Sequence, residues 1–138
     1  MSKVLVDTNV VLDLLAKREP FYDSAAKLFS LADKKKITIS ISSLTFANTS
    51  YVLTRLISTG KTREILRRFR VLVEVLSLDD KVIDLALNDP VFKDFEDGLQ
   101  YYSALENGQE IIITRDLSDF KESRLPVMIP EEYLISIE

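Results

Sequence analysis

The sequence contains no cysteine, no histidine and no tryptophan, and only 3 of its residues are glycine and 4 are proline. The lack of cysteine excludes disulfide bonds, thiolate metal sites and cysteine nucleophiles. The lack of histidine excludes serine–histidine triads and most zinc sites, because histidine is the usual base near neutral pH and a frequent zinc ligand. An enzyme of this composition must use carboxylates, hydroxyls, amides, lysines or arginines. These groups suit hard cations such as Mg²⁺ and Mn²⁺.

Long hydrophobic runs are also absent, and the first residues carry an acid where a signal peptide would be apolar. We therefore expect a cytoplasmic protein without a membrane partner. A chain of 138 residues with 46% hydrophobic content has the size of one ordinary domain, so a single domain over residues 1–138 is expected. The net charge of −4 disfavours a nucleic-acid binder, although a bound cation would reverse the field around catalytic carboxylates.

Short apolar runs alternate with helical patterns along the chain. Strands are predicted where valine, leucine and isoleucine are continuous or alternate, at residues 3–7, 38–41, 71–76, 111–114 and 127–129. Helices are predicted where apolar residues recur every three or four positions, at residues 9–16, 22–35, 43–58, 62–70, 77–87 and 95–106, with Gly60 closing the third. This alternation predicts an α/β fold with a mostly parallel central sheet and helices on both faces.

Two aspartates directly follow predicted buried strands. Asp7 ends the run V-L-V-D, and Asp116 follows the strand I-I-I-T in the run T-R-D. In open parallel sheets, functional sites form where the carboxyl ends of strands lead into loops and helices. Each acid taken alone is as well explained by a helix cap. If the two strands are neighbours, however, two like charges come close together, which is costly unless a cation neutralises them.

A third acid, Asp97, lies near the start of the predicted helix D-F-E-D-G-L-Q-Y-Y-S-A-L. Asp97 shares a helical face with Tyr101 and Ala104, which should contact the sheet. Acids near the positive end of a helix are favourable in themselves, but Asp94, Glu96 and Asp97 together exceed what capping requires. Clustered carboxylates without histidine suit metal-dependent phosphodiester hydrolysis, because bound ions activate a water and stabilise charge on the phosphate.

Three segments together resemble the PIN-domain family. They are the opening D-T-N-V-V-L-D, the acidic helix D-F-E-D-G-L-Q-Y-Y-S-A, and I-I-I-T-R-D-L-S-D-F near the end. Within the family, the chain is most similar to toxins of type II toxin–antitoxin modules, of the virulence-associated protein C kind. The resemblance implies a three-layer sandwich and an endoribonuclease that uses Mg²⁺ or Mn²⁺ to hydrolyse RNA. It also implies a homodimer and a small cognate antitoxin that holds the enzyme inactive.

The resemblance assigns roles to individual residues. Asp7 corresponds to the family's first acid, Asp97 to the third and Asp116 to the fourth, so all three are expected to be catalytic metal ligands. Thr114 corresponds to the hydroxyl that precedes the fourth acid. We expect it to orient the carboxylates, although a strand-end threonine can equally be a local cap.

Asn48 is where the sequence departs from the family, which commonly has a glutamate on the helix after the second strand. The matching stretch here is S-L-T-F-A-N-T-S. An amide oxygen can bind Mg²⁺ or a metal-bound water but carries no charge, so Asn48 is expected in the site with Asp94 or Glu96 as auxiliary acids. Asp119 is expected to be a cap or loop anchor, with membership of the site as the alternative.

Two arginines are candidate RNA ligands, because guanidinium groups bind phosphate. Arg55 lies on the same helical face as Asn48, and Arg115 directly precedes Asp116. For Asp13, on the first predicted helix, a structural role is expected rather than a chemical one.

Two other functions remain open. Asn48 is compatible with a catalytically weak or inactive PIN-like domain that serves as a binding module. An aspartyl-phosphate enzyme or phosphoacceptor would also place an acid after the first strand. Phosphatases of that kind, however, would carry a second acid where this chain has Asn9, and receiver domains would pair acids at that strand end.

Overall fold

The computed structural model describes residues 1–138 and has a central sheet of five strands. The strands are β1 Ser2–Val6, β2 Ile37–Ser42, β3 Glu74–Leu76, β4 Ile111–Ile113 and β5 Val127–Met128. Every pairing is parallel, and the strand order is β3-β2-β1-β4-β5. The predicted α/β class is therefore confirmed, and the sheet is parallel throughout rather than mostly so.

Helices connect the first four strands, and one more helix follows β5. They are α1 Thr8–Leu15, α2 Tyr22–Asp33, α3 Ser43–Leu56, α4 Thr59–Leu72, α5 Asp80–Leu87, α6 Phe95–Glu106 and α7 Pro130–Ser136, with a 3₁₀ turn at Leu117–Phe120. None of these helices has both the length and the apolar character needed to cross a membrane.

Side chains alternate between the two faces of the sheet along each strand, and both faces are buried because helices pack against them. Val4 and Val6 of β1 join a core cluster with residues of α1, α2 and α4. Leu5, between them, joins a second cluster with Ile112 of β4 and Tyr101 of α6. The sheet is thus the middle of three layers, as predicted.

The strand order reverses between β1 and β4. From β1 the chain continues to β2 and β3 on one side, whereas β4 and β5 lie on the other. Ligands of open α/β sheets bind at the carboxyl ends of strands at such a switch point. Val6 is aligned with Ile113, so Asp7 and Thr114 follow adjacent strand ends.

Two predicted element boundaries, at Gly60 and at residue 71, are wrong. Gly60 does not end a helix: it lies in the first turn of α4, because Ser58 caps that helix by accepting the backbone N–H of Lys61 at 3.2 Å. The strand predicted from residue 71 begins only at Glu74, since α4 continues through Leu72 and closes with Arg70 Nη1 donating to a backbone carbonyl at 3.0 Å.

The last helix, α7, has no counterpart in the sequence prediction. Its signals are nevertheless present. Pro130 occupies the first helical position, and Glu132 Oε1 accepts the backbone N–H of Ile129 at 3.2 Å. Proline at this position and a glutamate two residues later are features of a helix start.

Candidate active site

Asp7 lies at the carboxyl end of β1, where it caps α1 and donates its backbone N–H to the last carbonyl of β4 at 2.9 Å. Three donors hold its side chain. Oδ1 accepts from the Thr8 backbone N–H at 2.8 Å and Gln100 Nε2 at 3.2 Å, and Oδ2 accepts from Thr114 Oγ1 at 2.9 Å. Burial raises the pKa of Asp7 and the charge of Asp116 adds to the rise, while the three hydrogen bonds oppose it. The carboxylate is therefore fixed in orientation at the switch point.

Asn9 and Thr114 bring Asp116 to the same edge of the sheet. Asn9 Nδ2 donates to Asp116 Oδ2 at 3.1 Å and to Thr114 Oγ1 at 3.2 Å. The backbone N–H of Asp116 donates to the same Thr114 oxygen at 3.0 Å. Because Thr114 also donates to Asp7, its hydroxyl connects the Asp7 carboxylate with the Asn9 side chain and with the backbone of Asp116. The sequence signal for Asn9 is only its place two residues after Asp7.

Asp97 lies in the first turn of α6, beside Asp94 and Glu96. Asp94 caps the helix by accepting the Glu96 backbone N–H at 2.8 Å, whereas the carboxylate of Asp97 is partly buried and accepts no hydrogen bond. Burial raises the pKa of Asp97 to about 7, and the charges of Asp94, Asp119, Asp7 and Glu96 add to the rise. A carboxylate without a donor among four other acids is an arrangement that a divalent cation stabilises.

Asp119 joins these acids from the 3₁₀ turn. It lines a cleft of about 160 Å³ together with Asp94, Asp97 and Ser118, and its side chain makes no hydrogen bond. Asp119 is exposed, yet desolvation raises its pKa, and the charges of Asp116 and Asp94 add to the rise. Asp119 therefore faces the acids instead of anchoring its loop. The spacing of Asp116 and Asp119 is a sequence signal for this placement, since residues three apart lie on the same side of a 3₁₀ turn.

Gln100 links Asp7 to α3 and has no role assigned from sequence. It is 2% exposed, and its Nε2 donates to Thr45 Oγ1 at 3.0 Å as well as to Asp7. Its Oε1 is buried without a partner. Thr45 Oγ1 is also 3.0 Å from Thr8 Oγ1, so the first turns of α1 and α3 meet beside α6. The available signal was position, because Gln100 is three residues beyond Asp97 on one helical face.

Asn48 follows Thr45 by three residues on α3, is partly buried, and makes no side-chain hydrogen bond. Arg55, further along the same helix, is exposed and contacts Tyr51. Its Nη1 donates to the Tyr51 hydroxyl at 2.9 Å, and its guanidinium lies 5.3 Å from the ring centre. Arg55 forms no ion pair with any acid of the site.

Arg115 is turned toward α1 rather than toward the acids. Its Nε and Nη2 donate to the two oxygens of Asp13 at 2.6 and 3.2 Å, and its guanidinium lies 3.8 Å from the centre of the Phe21 ring. Asp13 is 1% exposed, so this ion pair is buried on the acid's side. Asp13 thus makes buried ion-pair contacts that fit the structural role expected for it.

The donor set fits a hard divalent cation by its chemistry. Asp7, Asp97, Asp116 and Asp119 offer carboxylate oxygens, the ligands that Mg²⁺ and Mn²⁺ prefer. The acids come from β1, α6 and the segment after β4, which meet at one edge of the sheet. No three of them already enclose a single point at which an ion would sit.

Comparison with known proteins gives consistent results. A family model described as PIN domain matches residues 3–118. Ribonuclease VapC1 of Aquifex aeolicus is 28% identical over 136 residues, which cover 96% of this chain and 93% of that protein.

Solved structures share the fold at low identity. A toxin–antitoxin complex from Klebsiella pneumoniae superposes with a TM-score of 0.69 at 20% identity, over 92% of this chain and 97% of that one. Mycobacterium tuberculosis VapC20, a toxin that cleaves the sarcin–ricin loop, gives a TM-score of 0.64 at 17% identity, over 83% and 92% of the two chains. With the matched family model spanning most of its length, the chain belongs to the PIN domain family.

Proposed function

We propose that the protein is a divalent-metal-dependent endoribonuclease and the toxin of a toxin–antitoxin module. The observation that carries the proposal is the meeting of Asp7 and Asp116 at adjacent strand ends with the unpaired carboxylate of Asp97. Support comes from a relative named as a ribonuclease and from a structural neighbour solved as a toxin–antitoxin complex. The protein would act in the cytoplasm, as a homodimer, until a small cognate antitoxin binds it.

Asp7, Asp97 and Asp116 would hold Mg²⁺ or Mn²⁺, with Asp119 as a further carboxylate. When bound, the metal supplies an activated water and stabilises the negative charge that develops on the phosphate. Thr114 and Gln100 keep the Asp7 carboxylate in one orientation. Asn9 does the same for Asp116. Asp97 must lose its proton before it can bind a cation, so its raised pKa couples metal binding to pH near about 7.

Purified protein should cleave structured RNA in the presence of Mn²⁺, and expression of the wild type should arrest growth. Asp7→Ala and Asp97→Ala should lose both effects, because each removes a proposed metal ligand. Arg68→Gln is a suitable control, since Arg68 pairs with Glu64 at 2.8 Å on the exposed face of α4. Cleavage and growth arrest that persist in both aspartate variants would refute the proposal.

Asn48 supports a second candidate, a PIN-like binding module with little or no catalysis. It is uncharged where the family commonly has a glutamate. This candidate predicts no heat of Mg²⁺ binding by calorimetry at millimolar concentrations. A clear binding isotherm that disappears in Asp97→Ala would count against it.

A further inference from the structure

Two arginines share one buried carboxylate beside the proposed catalytic site. Oδ1 of Asp13 accepts from Arg18 Nε at 3.0 Å and from Arg115 Nη2 at 3.2 Å, while Oδ2 accepts from Arg115 Nε at 2.6 Å. Asp13 is 1% exposed, but the side chains of Arg18 and Arg115 are 41% and 28% exposed. The carboxylate is therefore hidden, and the guanidinium groups reach the surface.

The charges of this group do not balance. One carboxylate neutralises one guanidinium, so the trio carries one excess positive charge. Because both arginines donate to the same oxygen of Asp13, the two donor nitrogens lie within about 6 Å of each other. Two like charges at this distance repel, and a bound anion would relieve the repulsion.

Both guanidinium groups are held in place without their full set of partners. Arg115 lies against the Phe21 ring, and Arg18 Nη2 donates to the backbone carbonyl of Asn9 at 3.1 Å. A guanidinium has five N–H donors, of which each arginine uses two here, so three remain on each side chain. Rigid, partly exposed guanidinium donors match the oxygens of a phosphate.

The arginine pair adjoins the proposed metal site through Asn9. The backbone carbonyl of Asn9 binds Arg18, its Oδ1 accepts the backbone N–H of Arg115 at 3.3 Å, and its Nδ2 binds Asp116. An anion on the arginines would thus lie beside the acids, with Asn9 between them. This position suits a phosphate that neighbours the one being cleaved.

We propose that Arg18 and Arg115 form a phosphate-binding subsite that holds a backbone phosphate of the RNA substrate next to the scissile one. The identity of the ligand rests on the proposed ribonuclease function. The geometry of the two guanidinium groups does not depend on it. Inorganic phosphate and an acidic protein segment share part of the same chemistry, and the dependence of each ligand's binding on Arg18 distinguishes them from RNA.

The test measures RNA binding without cleavage. The Asp97→Asn protein in EDTA is titrated into a short fluorescein-labelled single-stranded RNA of mixed sequence, and anisotropy is recorded between about 50 and 200 mM salt. Adding Arg18→Gln, which keeps hydrogen-bonding capacity but removes the charge, should weaken binding by about five- to tenfold and reduce the salt slope by about 0.7. Arg18→Lys should retain the slope, because it retains the charge. Arg68→Gln, on α4, should change neither value by a comparable amount.

Several results would overturn the subsite. An unchanged affinity and salt slope in Arg18→Gln would do so, as would the absence of RNA binding by the parent protein. If inorganic phosphate or a polyglutamate peptide depends on Arg18 for binding but RNA does not, the site serves another anion and the proposal is wrong. RNA binding that depends on Arg18, in a wild-type protein that fails to cleave with Mn²⁺, would support the subsite while refuting the nuclease.

Discussion

Replacement of Asp97 by asparagine should stabilise the folded protein even though it removes a proposed metal ligand. In the folded state, burial and neighbouring acids raise the pKa of Asp97 from 3.8 to about 7. Because the folded pKa is higher than the unfolded one, the folded state binds this proton more tightly. The stability that protonated Asp97 contributes is fully present below about pH 4 and is lost as the pH rises through about 7.

The size of the stability gain follows from how far the pKa of Asp97 is raised. About three pKa units correspond to about 4 kcal/mol, which is an upper limit because Asp97 is partly exposed and water screens its charge. A screened value of about 1–2 kcal/mol is reasonable. Asparagine also gives up the favourable interaction of a charge with the amino end of α6, worth about 0.3–1 kcal/mol. The net gain should be about 1 kcal/mol at about pH 8 and smaller at about pH 5.

Urea unfolding of the metal-free protein at these two pH values measures the gain. Glu96→Gln is a comparison variant, since Glu96 is an exposed acid in the same helical turn. It gives up the favourable helix-end interaction but also relieves repulsion of Asp97, so its stability should change by at most a few tenths of a kcal/mol. Mn²⁺ at about 1 mM should stabilise the wild type and leave Asp97→Asn unchanged. An Asp97→Asn protein that is no more stable than the wild type at the higher pH, or that gains equally at both pH values, would contradict a raised pKa for Asp97.

Three further substitutions test other parts of the site. Gln100→Leu removes the buried Oε1, which has no hydrogen-bond partner and costs about 1–3 kcal/mol to bury. It also removes the Nε2 donor to Asp7. Its melting temperature should hold or rise while RNA cleavage falls about tenfold, and a fall in both would contradict this. Asp13→Ala leaves two guanidinium groups without their carboxylate and should lower the urea-derived unfolding free energy by about 2–4 kcal/mol, reduced for their partial exposure; a loss below about 1 kcal/mol would count against a structural role. Asn48→Glu restores a carboxylate on α3 and should lower the calorimetric Kd for Mn²⁺ by roughly tenfold, whereas an unchanged or weaker affinity would show that this position does not face the metal.

The layers of the fold could be predicted because strand and helix patterns differ in period. Continuous apolar runs such as residues 111–113 can be buried on both faces of a parallel sheet, and the structure buries them in this way. Element ends were harder to predict. Gly60 has the composition of a helix stop, yet the serine cap at Ser58 determines the local structure.

The candidate site was predictable where a strand end, or for Asp97 the acidic start of a helix, identified a residue. Asp7 and Asp116 each follow a strand, but their proximity depends on the placement of β4 beside β1, which no local pattern encodes. Gln100 and Asp119 act through tertiary contacts with groups far away in the chain. Arg115 was predicted to bind RNA from its position beside Asp116. The structure adds that its side chain is first held by Asp13, and the RNA contact stays a prediction.

The proposed function requires that the aspartates bind the metal on which RNA cleavage depends. The most direct measurement titrates Mn²⁺ into the metal-free protein and follows binding by calorimetry and cleavage of a labelled structured RNA under the same conditions. The wild type should bind and cleave with the same half-saturating Mn²⁺ concentration, and Asp97→Asn should lose both. Cleavage in EDTA, or full Mn²⁺ binding and cleavage by Asp97→Asn, would contradict the account.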